Sequence, residues 1–163
     1  IFFVEKFNYI KIRIASFFDS SSNNYSQAEK ASEAIIDGGF FGKGVGEGTL
    51  NSKIPEAHTD FIISVISEEF GIVIILIIML AFIIFAYNIF KKIRDMNDNT
   101  FKMILTGLIS LLLMQAFVHV GVNLRVLPTT GMTLPYLSYG GSSIISISII
   151  SGIILNLTKR KVS

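Results

Sequence analysis

Two polar stretches in an otherwise apolar chain hold the side chains that could do chemistry. The first, Pro55-Glu56-Ala57-His58-Thr59-Asp60, runs into a long apolar segment that continues through Glu68-Glu69-Phe70-Gly71. Asp60 is the sharpest candidate in it. It stands at the expected start of a helix on which Ser64, Ser67, Glu68 and Gly71 follow at i+4, i+7, i+8 and i+11, a single polar stripe. Its strength as a proton acceptor rests on two opposed effects. A helix N-terminus favours the ionised form and lowers basicity, partial burial raises it, and the residues leave both open. The competing reading is an N-cap, with Thr59 or Asp60 accepting backbone N–H bonds for about 1 kcal/mol. His58 could ligate a metal or shuttle protons, but no second His or Cys is near, so an orienting hydrogen bond to the loop competes. Glu56 has the same ambiguity, and Pro55 fixes the entry of the loop.

The second stretch, Ser138-Tyr139-Gly140-Gly141-Ser142-Ser143, opens another apolar segment. A helix N-terminus there offers free N–H groups and a positive dipole end, which suits a pyrophosphate; a cap with tight packing is the alternative. A serine nucleophile is disfavoured, because no His follows and His119 falls on a different helix. Gly42, Gly44, Gly46 and Gly48 alternate with Lys43, Val45 and Glu47. The run lacks G-x-G-x-x-G spacing and a following Lys-Ser/Thr pair, so a flexible or closely packed connector is favoured over a phosphate cradle. No metal site and no cofactor emerge, although a divalent cation is compatible with the residues present.

The elements that must position these residues belong to a membrane. Apolar residues make up 51% of the 163, Cys and Trp are absent, and mean hydropathy is +0.62. That composition predicts an all-α, polytopic helical membrane protein without a disulfide framework or thiol chemistry. A net charge of +2 in short clusters excludes a nucleic-acid footprint. The chain opens on Ile1 with no signal-peptide pattern and reads as a C-terminal fragment.

Phe3, Phe7, Ile10, Ile14, Phe17 and Phe18 form a stripe at roughly 3.6-residue spacing, either an amphipathic surface helix or the tail of an upstream span. Asp19 to Asn24 is a turn cluster. From Tyr25 to Asp37, Ala28, Ala31, Ser32, Ile35 and Ile36 share one face of a helix that Gly38-Gly39 stops. Residues 1–60 are thus expected to hold the end of a preceding helix and a large extracytoplasmic loop with short interfacial helices. Residues 61–163 should hold three transmembrane helices, at about 61–90, 101–124 and 140–158, with a loop at 125–139. Phe70 to Tyr87 alone, free of charge, gives roughly 27 Å of helix at about 1.5 Å per residue. Lys91, Lys92 and Arg94, then Lys159, Arg160 and Lys161, follow the first and third spans, and positive-inside bias puts both clusters in the cytoplasm. Both polar stretches then face the outer compartment. Gln115, His119 and Asn123 recur at i, i+4 and i+8, while Ser148, Ser151, Gly152 and Asn156 make a small-residue face suited to packing. Glu68 and Glu69, costing at least about 2.5 kcal/mol each at membrane depth, should face protein, water or the interface. Three helices are too few to enclose these stripes, so upstream helices are expected to supply partners.

Pro55-Glu56-Ala57-His58-Thr59-Asp60-Phe61 with Glu68-Glu69-Phe70-Gly71 resembles the P-E-x-H-T-D-F…E-E-x-G signature of the SEDS family (shape, elongation, division and sporulation proteins). Leu127-Pro128-Thr129-Thr130-Gly131-Met132-Thr133-Leu134-Pro135 and Tyr136-Leu137-Ser138-Tyr139-Gly140-Gly141-Ser142-Ser143 resemble its second signature. The wording around Gly131-Met132-Thr133 is closer to the division branch than to the elongation branch. The resemblance implies a bacterial inner-membrane peptidoglycan glycosyltransferase that polymerises lipid II into glycan strands during septal cell-wall synthesis, with its site on the periplasmic side. It implies that Asp60 matches the essential aspartate, that Glu56, His58, Ser138, Gly140, Gly141, Ser142 and Ser143 lie toward substrate, and that this stretch alone is inactive. Implied partners are lipid II, the growing strand, membrane lipids, a class B penicillin-binding protein and other division proteins. Two departures stand out: His119 where many members have Asn, and Thr130 where many division members have Lys. If that Lys neutralises pyrophosphate, Lys43, Lys53 or Arg125 would have to replace it. A lipid II flippase and a non-catalytic scaffold are the rival readings.

Overall fold

The structure, a computed structural model, describes residues 23–54 and 56–159. The stripe between Phe3 and Phe18, the start of the Asp19 turn cluster, Pro55, Arg160 and Lys161 lie outside the described residues. Among those described there are six helices and no strand: α1 (Asn23–Gly38), α2 (Leu50–Lys53), α3 (Ile62–Phe70), α4 (Ile72–Arg94), α5 (Asn99–Asn123) and α6 (Gly141–Lys159).

Three of these are long and apolar enough to cross a membrane: α4, α5 and α6, with window hydropathies of 3.0, 2.0 and 1.7. The chain is a membrane protein. Leu76, Ile77, Leu80 and Ile83 stay exposed on α4, as lipid-facing residues must when tails solvate them as well as a protein core would. The opposite faces form a core in which Ile89 and Ile93 of α4, Leu105, Ile109 and Leu112 of α5, and Ile147 and Ile154 of α6 interdigitate. Asp98 starts α5 by accepting the N–H of Thr100 at 2.8 Å. Lys91, Lys92 and Arg94 finish α4, and Lys159 finishes α6, so the basic residues gather at one end of the bundle.

At the other end α1, α2 and α3 make a cap. Ala31, Ala34, Leu50, Ile54, Ala57, Phe61 and Val65 pack with Val122 of α5, so this cap has its own core and is tied to a spanning helix. The α1 face differs from expectation at one residue: Ala31, Ala34 and Ile35 are buried, but Ile36 is 77% exposed.

The expected single helix from Asp60 through the first span is two helices. Gly71, at φ +81 and ψ 175, breaks it between Phe70 and Ile72. A side chain is excluded there, because a Cβ on Gly71 would meet the carbonyl oxygen of Phe40 at 2.1 Å. The break leaves helix-end groups in need of partners, and the glycine run supplies them. Lys43 N–H donates to Glu68 O at 2.8 Å, Gly44 N–H to Glu69 O at 3.1 Å, and Ile72 N–H to Gly39 O at 2.9 Å. Gly42 lies so close to α3 that a Cβ would sit 2.1 Å from Glu69 O. The run is therefore a packed connector that seals a helix break, with the N–H groups of Gly42, Lys43, Gly44 and Glu47 already donated to backbone carbonyls. The polar stripe from Ser64 to Glu68 belongs to α3, outside the spans.

On the α3 and α5 stripes Ser64, Glu68, Gln115 and Asn123 find partners within the described residues, while Ser67 Oγ and His119 Nε2 are buried without one there. The small-residue face of α6 is not used for packing: Ser148, Gly152 and Asn156 are exposed, and α6 packs through Ile147 and Ile154 instead.

Candidate functional site

The loop before α3 winds into a tight turn. The carbonyl of Glu56 accepts the N–H groups of Thr59 and Asp60, both at 3.1 Å, and the Thr59 hydroxyl at 3.1 Å. Helix α3 starts at Ile62 with Phe61, rather than Thr59 or Asp60, in the cap position and no cap bond from that side chain. Asp60 is half-buried. Its backbone is held by Asn123 at the end of α5, whose Nδ2 donates to Asp60 O at 3.1 Å and to His119 O at 2.8 Å. The same amide oxygen accepts the Ser64 hydroxyl at 2.8 Å and the Ser64 N–H at 3.3 Å. Asn123 is fully buried, so one amide joins the Asp60 turn, α3 and α5.

The second signature is sewn to the first. Ser138 Oγ donates to Thr59 O at 2.8 Å and accepts the Leu134 N–H at 2.8 Å, while Tyr139 N–H donates to His58 O at 3.1 Å. Ahead of this turn, residues 131–133 lie along α5. Gln115 Nε2 donates to Thr133 O at 2.9 Å, and His119 Nδ1 lies 2.7 Å from Met132 O. A carbonyl only accepts, so His119 carries its proton on Nδ1, and its Nε2 is buried without a partner among the described residues. Thr133 Oγ1 and Ser143 Oγ, 2.6 Å apart, link the loop to the first turn of α6.

These contacts frame a cleft of about 460 Å³ between α5 and α6, with Gln115, Gly131, Thr133, Ser142, Ser143 and Ser146 among its walls. Asp60 stands at its edge: a methyl group on Gly131, which takes φ +68, would lie 3.7 Å from Asp60 Oδ2. Four hydroxyls and an amide thus line a cleft at the ends of two spanning helices, with the Asp60 carboxylate beside Gly131. Beside them, an apolar groove of about 240 Å³ runs between α4 and residues 135–137. Tyr136 lies between α4 and α6, its ring stacked 6.5 Å from Phe82 and its hydroxyl 2.7 Å from Ser151 Oγ.

The expected site residues divide. Asp60, Ser142 and Ser143 reach the cleft edge or wall. Gly140 packs its backbone against Thr133 and Ser143, and Gly141 begins α6. Ser138 is buried with its hydroxyl engaged on both sides, so its role is to join the loops, and this corrects its assignment to substrate. Glu56 and His58 are exposed, and both serve through their carbonyls. Of the cations considered for an anion, Lys43 is held by Asp37 and Glu68, each at 3.1 Å, and Arg125 lies 4.0 Å from Glu29. Lys53 lines a small cavity beside Glu68. Gly131 and Thr133, quoted only as part of the second signature, and Ser146 on α6 were not singled out as site residues, because no periodicity shows which loop and helix residues border one cleft.

Behind the site, Glu68 is buried at 1% exposure yet charged. Burial pushes its carboxyl upward, but N–H groups of Thr49 and Leu50, the Lys43 ammonium and the Thr49 hydroxyl together hold it below the ordinary glutamate range. Hydrogen bonds to Glu68 and Asp37 raise Lys43 in turn. Among the described residues no three His, Asp or Glu side chains gather as metal ligands.

A family model described as cell cycle protein, covering the FtsW, RodA and SpoVE type, matches residues 1–162. The chain is 37% identical over 157 residues to a probable peptidoglycan glycosyltransferase FtsW of Caulobacter vibrioides, covering 95% of this chain and 40% of that protein. It is 34% identical over 162 residues to the like-named protein of Enterococcus hirae, covering 99% of this chain and 41% of the relative. Among solved structures it is similar to a chain of a peptidoglycan synthase complex that coordinates polymerization and crosslinking, with a TM-score of 0.70 and 27% identity over 92% of this chain and 41% of the other. The chain therefore spans about two fifths of the relatives it matches.

Proposed function

The chain belongs to the cell cycle protein family of FtsW, RodA and SpoVE, and from that premise we propose that the full-length protein is a peptidoglycan glycosyltransferase that polymerises lipid II during septal wall synthesis. The observation that carries the reading is the place of Asp60, at the edge of a polar cleft built from the second signature. In this reaction the carboxylate takes the proton of a sugar hydroxyl as that oxygen attacks the anomeric carbon of a lipid-linked sugar. The new C–O bond forms as the bond from that carbon to the phosphate oxygen breaks, and the lipid pyrophosphate leaves with the electron pair. Ser142 and the member of the Thr133–Ser143 pair that keeps its proton offer hydroxyl donors to the leaving group, while Ser146 donates to Ser142 O, and the first turn of α6 adds a positive dipole end. The Asn123 amide and the Ser138 hydroxyl keep the base in register with that cleft.

The site faces the extracytoplasmic side in this proposal, because it lies at the bundle end opposite Lys91, Lys92, Arg94 and Lys159. A base at the membrane edge suits substrates whose sugars project from a lipid anchor. A transpeptidase of the class B penicillin-binding type is the partner that would crosslink the strands, as the relationship to a peptidoglycan synthase complex supports. Asp60→Asn in the full-length protein is expected to abolish glycan synthesis from purified lipid II in detergent while leaving transpeptidase binding intact. Polymer of unchanged length and yield would remove the proposal. A defect confined to lipid movement across sealed vesicles would favour a transporter.

A further inference from the structure

We propose that Phe40 and Phe41, at the turn between α1 and the glycine run, form a wedge that enters the lipid interface and fixes the depth of the outer loop. The two rings are 73% and 89% exposed, and Ile36 and Val45 beside them are 77% and 74% exposed. Such a cluster at the end of a helix and the turn after it is costly in water and marks a surface that meets something apolar. What it meets is set by where the backbone is pinned. Gly39 O accepts the N–H of Ile72, the first residue of the most apolar spanning helix, at 2.9 Å. The Phe40 carbonyl and Phe41 nitrogen lie against Gly71 so closely that a Cβ there would fall 2.1 and 2.6 Å from them. The rings therefore project at the level where α4 enters the bilayer, and Phe70, Ile72 and Val73 continue the exposed apolar surface onto that helix. Aromatic side chains are favoured at that level. The charges that flank the tip, Asp37 and Lys43, are paired at 3.1 Å, which lowers the cost of bringing them to the interface.

The test uses full-length protein in nanodiscs of phosphatidylethanolamine and phosphatidylglycerol, with and without bromine on the upper acyl chain. The stretch 1–163 has no tryptophan, so the difference in emission between a Phe41→Trp variant and its parent reports on this position. Lys53→Trp, on the exposed side of α2, is the aqueous control. Blue-shifted emission from position 41, quenched by the brominated lipid and protected from iodide, is expected, with the reverse at position 53. Red emission and iodide quenching at position 41 would overturn the wedge. So would blue emission indifferent to bromine, which places the ring against protein, or equal bromine quenching at position 53, which places the whole loop in lipid. None of these readouts depends on polymerisation.

Discussion

The two ends of α3 are held by different chemistry. At its start, next to Asp60, Asn123 makes neutral hydrogen bonds to Ser64 and to the Asp60 backbone. At its end, Glu68 brings a buried negative charge to Lys43 and to the N–H groups that open α2, while Gly42 and Gly71 press backbone onto backbone. The neutral end ties the turn that carries Asp60 through the Asn123 amide rather than through a buried ion. The charged end can be strong because it is removed from the chemistry. The difference teaches that α3 is a strut: one end anchors the cap of α1 and α2, and the other holds the turn of the proposed base.

The largest effect is expected at the anchor. Gly71→Ala combines a positive φ with a 2.1 Å approach to Phe40 O, so backbone must move on both sides of the helix break. Strain at a left-handed position costs about 1–3 kcal/mol, and separating the packed strands adds to it. Thermal unfolding of the purified full-length protein should shift downward strongly, with the outer loop losing amide protection before the spans do. Protection lost uniformly would show that the anchor and the bundle are one cooperative unit.

Glu68→Gln comes next and carries a pH signature. Oε1 accepts from Lys43 and Thr49 and Oε2 from Leu50. A carboxamide has one acceptor, so its NH₂ would face a donor, at a cost of about 1–3 kcal/mol. The folded glutamate is held below its ordinary value of 4.5. The folded state therefore binds fewer protons than the unfolded chain, and its stabilisation, complete above that value, is lost as pH falls toward the depressed one. Wild-type stability should decline with acid in that window, and the Gln variant should lack this part of the decline. Parallel pH curves for the two would sink the assignment of Glu68 as the charged anchor.

The contrast between the two ends also marks what was legible in the sequence. Hydropathy located three spans, because lipid solvation needs unbroken apolar length, and the signatures pointed to Asp60. The break at Gly71 was hidden because polar and apolar periodicity runs on across it; only the approach of Phe40 from the preceding loop makes a helix impossible there. Glu68 looked like a residue in need of company, and its partners Thr49 and Leu50 sit at the start of a four-residue helix too short to leave a pattern. The family resemblance placed Ser138 toward substrate, yet its hydroxyl joins two loops 79 residues apart. Residue type suggested the chemistry; the long-range backbone contacts decided which groups were free to do it.

The smallest change in stability is expected at the start of α3, and it should have the larger effect on catalysis. Asn123→Ala removes the acceptor of Ser64 and the donor to Asp60 O. Ser64 has a replacement within reach of its own helix, since a serine hydroxyl bonds readily to the carbonyl four residues back, here that of Asp60. The net loss should then be about 1 kcal/mol, the ordinary size of one intramolecular hydrogen bond. The turn carrying the carboxylate, however, loses its tie to α5, and a base displaced by a fraction of an ångström from its acceptor gives up part of its orientation. Polymerisation per folded molecule should fall about tenfold or more, equivalent to about 1.4 kcal/mol in the barrier. Glu68→Gln at neutral pH should instead leave that rate nearly intact in the fraction that folds. Measuring melting temperature and lipid II turnover on both variants separates the two ends. If Asn123→Ala melts early and turns over normally while Glu68→Gln does the opposite, the strut is oriented the other way, and the charged end belongs to the site.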